Sequence, residues 1–452
     1  MARAAPETAP HGDGSHSNRS WRRHGGKEAS RPAQQRTSNN WRGHNTVDSH
    51  STPQPGRDER PERPTRAVHQ AQFKSASGDE QPSSIWPSAL PPASPVWFPS
   101  VMGTAILSSL LGRQVPDQGW LLYPATALMG IAIVLLIGLG AGFTVNARRN
   151  PGSFARTWRD MSILPTWGTV SMGMTATGSA IHNVGPLLPF GTAAAHRAGL
   201  TDSAPADWVI AVSATLWLIG TLIGLFTTFR VALRLMEKGA NHPVPAWGLA
   251  VVPPMVSATT GASLVDDVAS EQLTVVLVLA VTAFFFLALF FAVLLFTLAY
   301  RSHFFYHPLP VDASISTWIP LGVVGQSTAT AQSIAAQAEL VMLPSATPAV
   351  TWLAHAYGWV ALVIGIPVVA FAVIRTIYGF RERMNFTPGW WALTFPIGTV
   401  ALGAAMMAET MSGPWQVIPQ VVGTGSLIAL CCTWTFCTIA TLTAIMKARA
   451  TR

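Results

Sequence analysis

Charge is what this sequence has least of. Asp, Glu, Lys and Arg make up 11% of 452 residues, against about 25% in an ordinary soluble chain. So few charges cannot cover the surface of a soluble chain of this size, which excludes a cytosolic enzyme. Cysteine is also scarce. Cys431, Cys432 and Cys437 are the full set, they share one apolar run, and they read as small packing residues. Six of the twelve His lie in the first 90 residues without metal-ligand spacing, and His182 and His355 read as interfacial. HExxH, Walker A and GxSxG motifs are all missing, so no catalytic residue, metal or cofactor is expected.

The charge that exists is unevenly placed. Residues 1–90 hold 13 of the 29 Lys+Arg and 9 of the 21 Asp+Glu. This stretch is rich in Arg, Ser, Pro, Gln, Gly and His, and buries too little apolar area to offset chain entropy. It is therefore expected to be a disordered cytoplasmic tail. No apolar core follows its first basic residues, unlike a secretory signal. Trp21, Trp41, Arg22 and Arg23 would suit anionic headgroups or a regulatory partner, or merely set topology.

Residues 91–452 are built from apolar runs. About 20 apolar residues cross the hydrocarbon core. Ten candidate spans follow: 96–112, 121–143, 163–184, 207–229, 246–264, 273–300, 316–340, 351–378, 388–408 and 418–445. The third and fifth are short and rich in small residues. With the tail in the cytoplasm, the inner loops and C-terminus carry Arg148, Arg149, Arg156, Arg159, Arg230, Arg234, Lys238, Arg301, Arg375, Arg381, Arg383, Lys447, Arg449 and Arg452. The outer loops carry only Arg113 and Arg197. That asymmetry predicts a multi-pass protein of the cell membrane with both termini inside. Outer loops collect acids, of which Glu339 and Glu409 lie nearest span ends.

Two kinds of span alternate. The even ones are apolar all round, as in LTVVLVLAVTAFFFLALFFAVLLFTLAY, and suit lipid. The odd ones are rich in Gly, Ser, Thr, Gln and Pro. Gln326, Thr330, Ser333 and Gln337 share one helical face, which must meet protein or water. Small residues also serve close helix packing. Taken together, the alternation predicts an all-α membrane protein of ten helices, as five hairpins around a central pore. The expected lining is Gly103, Thr104, Thr175, Pro254, Ser257, Gly322, Gln326, Thr330, Pro396 and Thr399. No charged residue sits securely in the middle of a span, which favours a neutral conduit, or a carrier whose substrate brings the proton itself, and leans toward small anions. An integral-membrane enzyme or a sensor is the alternative. Nucleic acid is not an expected partner; the bilayer is.

Four strings carry a family resemblance. PVWFPSVMGTAILSSLL, PVPAWGLAVVPPMVSA, IPLGVVGQS and WWALTFPIGTVALG resemble, in order and spacing, segments of the tellurite-resistance/dicarboxylate transporter family. That family includes slow-type anion channels, malate permeases and sulfite efflux pumps. The resemblance covers roughly residues 95–446 and none of the tail. It implies a homotrimer with one pore per subunit, and transport of sulfite, malate or another C4-dicarboxylate, or tellurite. It also implies that Phe395, in the WWALTFP segment, plugs the pore. An aromatic on a small-residue helix makes a hydrophobic constriction; an ordinary packing Phe is the plain alternative. Ala105 and Ser327 stand where the family usually has Gly.

Overall fold

A computed structural model describes residues 85–87, 89–190, 205–238 and 242–450. The tail through residue 84, Arg197, Asp202 and Arg452 lie outside the described residues.

Every expected span contains a helix. The main helices are α1 (Pro99–Arg113), α2 (Leu122–Arg149), α3 (Trp167–Val184), α4 (Asp207–Lys238), α5 (Pro253–Ala262), α6 (Glu271–Phe305), α7 (Ile319–Ala336), α8 (Thr347–Arg381), α9 (Phe395–Thr410) and α10 (Val417–Ala450). Among the described residues, seven helical segments are long and apolar enough to cross a membrane; they contain α1, α2, α4, α6, α8, α9 and α10. The other three fall short for reasons visible in their residues. α3 and α7 have 18 residues each but are diluted by Ser, Thr, Gly and Gln. α5 has only 10 residues, about 15 Å of rise. The 3₁₀ helix Pro245–Ala250 before it adds about 12 Å at ~2 Å per residue.

Burial separates the two kinds. Of the most apolar stretch, 89% is buried in Pro95–Arg113 and 78% in Pro388–Thr410, against 17–28% in the segments of α2, α4, α6, α8 and α10. The even helices bear large exposed apolar side chains such as Val134, Phe226, Phe290, Ile366 and Ile428. No water-soluble protein would leave such faces bare. Each odd helix packs against the even helix that follows it. The odd helices also pack on one another in a closed circuit: α1 on α3, α3 on α5, α5 on α7, α7 on α9, and α9 back on α1.

Small residues allow that circuit to close. A Cβ on Gly325 of α7 would collide with the backbone of Thr399 and Val400 in α9. A Cβ on Gly103 of α1 would collide with Thr394, just before α9.

Candidate anion pathway

The odd helices share one lead-in. A 3₁₀ turn precedes each: Pro95–Trp97, Leu164–Thr166, Pro245–Ala250, Val311–Trp318 and Pro388–Leu393. The sequence repeats with it: Pro95-Val-Trp97, Pro165-Thr-Trp167, Pro245-Ala-Trp247, Ser316-Thr-Trp318 and Pro388-Gly-Trp390. Proline fixes φ and lacks an N–H, so it fits a helix start. The indoles then anchor the turns. Trp97 Nε1 donates to Pro91 O at 3.1 Å, Trp167 Nε1 to Thr157 Oγ1 at 3.0 Å, and Trp318 Nε1 to Thr376 Oγ1 at 2.8 Å. Trp390 Nε1 donates to Asn385 O at 3.2 Å.

These lead-ins surround a cavity of about 400 Å³. Its wall takes Met102 from α1, Met172 from α3, Val252 beside α5, Gly322 from α7, and Phe395 and Pro396 from α9. All of these sit in or beside the first turns, so five helix N-termini converge there. Their dipoles present positive ends to the space. The wall is otherwise mostly apolar, with Trp390 and Trp391 in it, and Asp312 is its one charged member among the described residues. The lining stops near Phe395, which is 5% exposed. Thr399, one turn further along α9, is absent from the wall.

Of the residues expected along a pore, Phe395, Gly322 and Pro396 border this cavity. Gly322 and Pro396 face each other, a Cβ on the glycine standing 3.7 Å from the proline ring. Pro254 is buried in the first turn of α5. The remaining hydroxyls and amide are occupied differently. Thr104 Oγ1 donates to Ser100 O at 2.8 Å and accepts from Trp434 Nε1 of α10 at 3.0 Å. Gln326 Nε2 donates to Thr259 Oγ1 at 2.7 Å, and Thr259 shares a 2.6 Å hydrogen bond with Thr330. That buried cluster joins α5 to α7. Thr399 Oγ1 donates to Pro396 O at 2.7 Å. Thr175 borders a cleft of about 10 Å³ between α3, α4 and α5 with His182 and Ser213, room for one water. Ser257 Oγ is fully buried and has no hydrogen-bond partner among the described residues.

At the opposite ends, polar pairs link the odd helices in the same circuit. Arg113 of α1 meets Glu409 of α9 at 2.6 Å. Asn183 of α3 donates to Ser109 of α1 at 2.6 Å. His182 of α3 meets Asp267, just after α5, at 2.7 Å. Gln337 at the end of α7 donates to Asp266 at 3.3 Å, and Thr410 of α9 donates to Gln332 of α7 at 3.5 Å. Glu409 thus has a partner, while Glu339 is exposed in the short helix Ala338–Val341.

Reading hydroxyls along the odd helices missed most of the cavity wall: Met102, Met172, Trp390, Trp391 and Asp312. The repeated Pro-x-Trp was the signal that locates it.

The chain matches the family described as voltage-dependent anion channel over residues 93–442. It is also similar to sulfite efflux pumps of Trichophyton rubrum and Arthroderma benhamiae, 23% identical to each over 244 residues. That match covers 50% of this chain and 62% of each relative's own length. A chain with seven helical segments of spanning length and a family match through nearly the whole of them is a multi-pass membrane protein, and it belongs to the voltage-dependent anion channel family.

Proposed function

We propose that this protein moves small anions across the cell membrane through the space enclosed by α1, α3, α5, α7 and α9. All ten helices span, as five hairpins, with both termini in the cytoplasm. The cavity of about 400 Å³ is then the cytoplasmic vestibule, because α1 enters from the side of the basic loops. Residues 91–452 form the transporting domain. Residues 1–90 are a cytoplasmic tail, and the subunits assemble as a homotrimer.

The convergence of five helix N-termini on one cavity carries this reading. It offers an anion a positive field without a fixed cation that would trap it. The odd helices bear Asp, Glu, Lys or Arg only near their far ends, at Arg113 and Glu409. A cation path would instead use carboxylate rings. Sulfite is the favoured substrate, since the similar proteins are named sulfite efflux pumps; malate and tellurite are the next to try. Phe395, buried at the inner limit of the cavity, is the gate, and Gly322 and Pro396 frame it. Thr175, Ser257, Gln326, Thr330 and Thr399 line or brace the path beyond.

Sulfite flux into proteoliposomes, wild type against Phe395→Ala, tests the gate. The variant is expected to conduct several-fold faster. Flux equal to wild type would remove Phe395 from that role.

A further inference from the structure

The vestibule wall holds one carboxylate, Asp312, which lies at the start of the 3₁₀ helix Val311–Trp318. It is exposed, which puts it at the rim. Its Oδ1 accepts the backbone N–H of Asn385 at 3.0 Å, a bond that bridges the lead-in of α7 to the chain ahead of α9. No basic side chain lies within ion-pair distance of it among the described residues. Arg375 is bonded to the same stretch of chain. Its guanidinium donates to Leu309 O at 3.0 Å and Ser314 Oγ at 3.3 Å, and lies 4.9 Å from the Tyr378 ring. Arg375 therefore fastens this 3₁₀ helix from behind rather than neutralising Asp312. An unpaired negative charge at the mouth of a cavity that is otherwise apolar and ringed by positive helix ends is unusual for a path that attracts anions.

We propose that Asp312 sets charge selectivity. Its carboxylate at the vestibule rim holds back dianions more strongly than monoanions, so the conducted form of a weak diacid is the singly charged one. This rests on the reading of the cavity as an anion vestibule. The argument is electrostatic. Repulsion scales with the charge of the visiting ion, so whatever factor a monoanion loses is squared for a dianion. At a water-exposed rim, with roughly 8 Å between charges, that factor is about twofold for a monoanion and about fourfold for a dianion. The helix ends attract both forms by the same rule and lie deeper. The rim carboxylate thus acts first and discriminates.

The test uses reconstituted full-length protein and sulfite. Sulfite is mostly hydrogen sulfite in mild acid and mostly the dianion in mild alkali. Asp312→Asn preserves an oxygen for the Asn385 N–H and removes the charge; Asp312→Glu keeps the charge. Relative to wild type, Asp312→Asn is expected to raise flux about twofold in mild acid and about fourfold in mild alkali at low salt. The gain should shrink toward none as inert salt is raised. Asp312→Glu, which keeps the charge, should keep the wild-type ratio of acid to alkaline flux. A gain that is the same in acid and alkali overturns the proposal. So does a loss of flux in Asp312→Asn with Asp312→Glu intact, because the charge would then be needed rather than opposing. Absence of sulfite flux in the wild type would instead overturn the transport reading itself.

Discussion

Gly325 and Thr259 show how single residues hold the odd helices together. At Gly325 the neighbour is backbone, which cannot swing aside, so Gly325→Ala must push α7 and α9 apart. Overpacking of this kind costs about 1–3 kcal/mol, and a lowered melting temperature of the detergent-solubilised protein checks it. Gly119, with open space around its Cα, should accept alanine without that loss. Thr259 accepts from Gln326 and bonds Thr330 in a buried cluster. Thr259→Val strands the Gln326 amide, at a cost of about 1–3 kcal/mol. Thr259→Val combined with Gln326→Leu removes both partners and should destabilise less than the sum of the two changes. Strict additivity of the melting shifts would mean that the two side chains do not share a bond. The polarity of Gln326 and Thr330 was legible in the sequence, but their azimuth was not. Spacing placed them on one face of α7; only the packing of α5 beside it shows that the face is spent on a neighbouring helix.

Helical elements divide by what their surfaces meet. The even helices could be read from composition, since an all-apolar surface has few places to go but lipid. α1 and α9 were also legible as apolar runs. α3, α5 and α7 were harder, because the residues that let them pack closely dilute the hydropathy that would reveal them. Their starts were harder still. A 3₁₀ lead-in breaks the 3.6-residue period, so α5 shrinks from an expected 246–264 to Pro253–Ala262. The lead-ins are also what build the cavity, and they predict a pattern of access. In a background lacking Cys431, Cys432 and Cys437, Ser316→Cys on the vestibule wall should react with a charged thiol reagent supplied from the cytoplasmic side. Thr399→Cys should react only when Phe395→Ala is also present. Equal labelling of Thr399→Cys with Phe395 intact would mean that the constriction lies elsewhere.

At the largest scale, the described residues form a closed circuit of five buried helices lined outside by apolar ones. Its closure is marked at both ends, by 3₁₀ lead-ins that pack on one another at one and by polar pairs from Arg113–Glu409 to His182–Asp267 at the other. The exposed pair Arg113–Glu409 contributes little stability on its own, about 0–1 kcal/mol, so Arg113→Gln should leave the melting temperature within about 2–4 °C of wild type. Low charge in the sequence pointed to membrane and to a neutral path alike, because the same odd helices avoid charge along nearly their full length. What composition could not convey was convergence: the basic loops mark one end of the bundle, but only the packing shows five helix N-termini meeting around one cavity at that end. The most direct test is the reversal potential of current through the purified protein in a planar bilayer with a salt gradient. Anion passage predicts a potential that follows the anion gradient, with sulfite in place of an inert bulky anion sustaining the current. A potential that follows the cation gradient, or no current for any anion on either side, would contradict it.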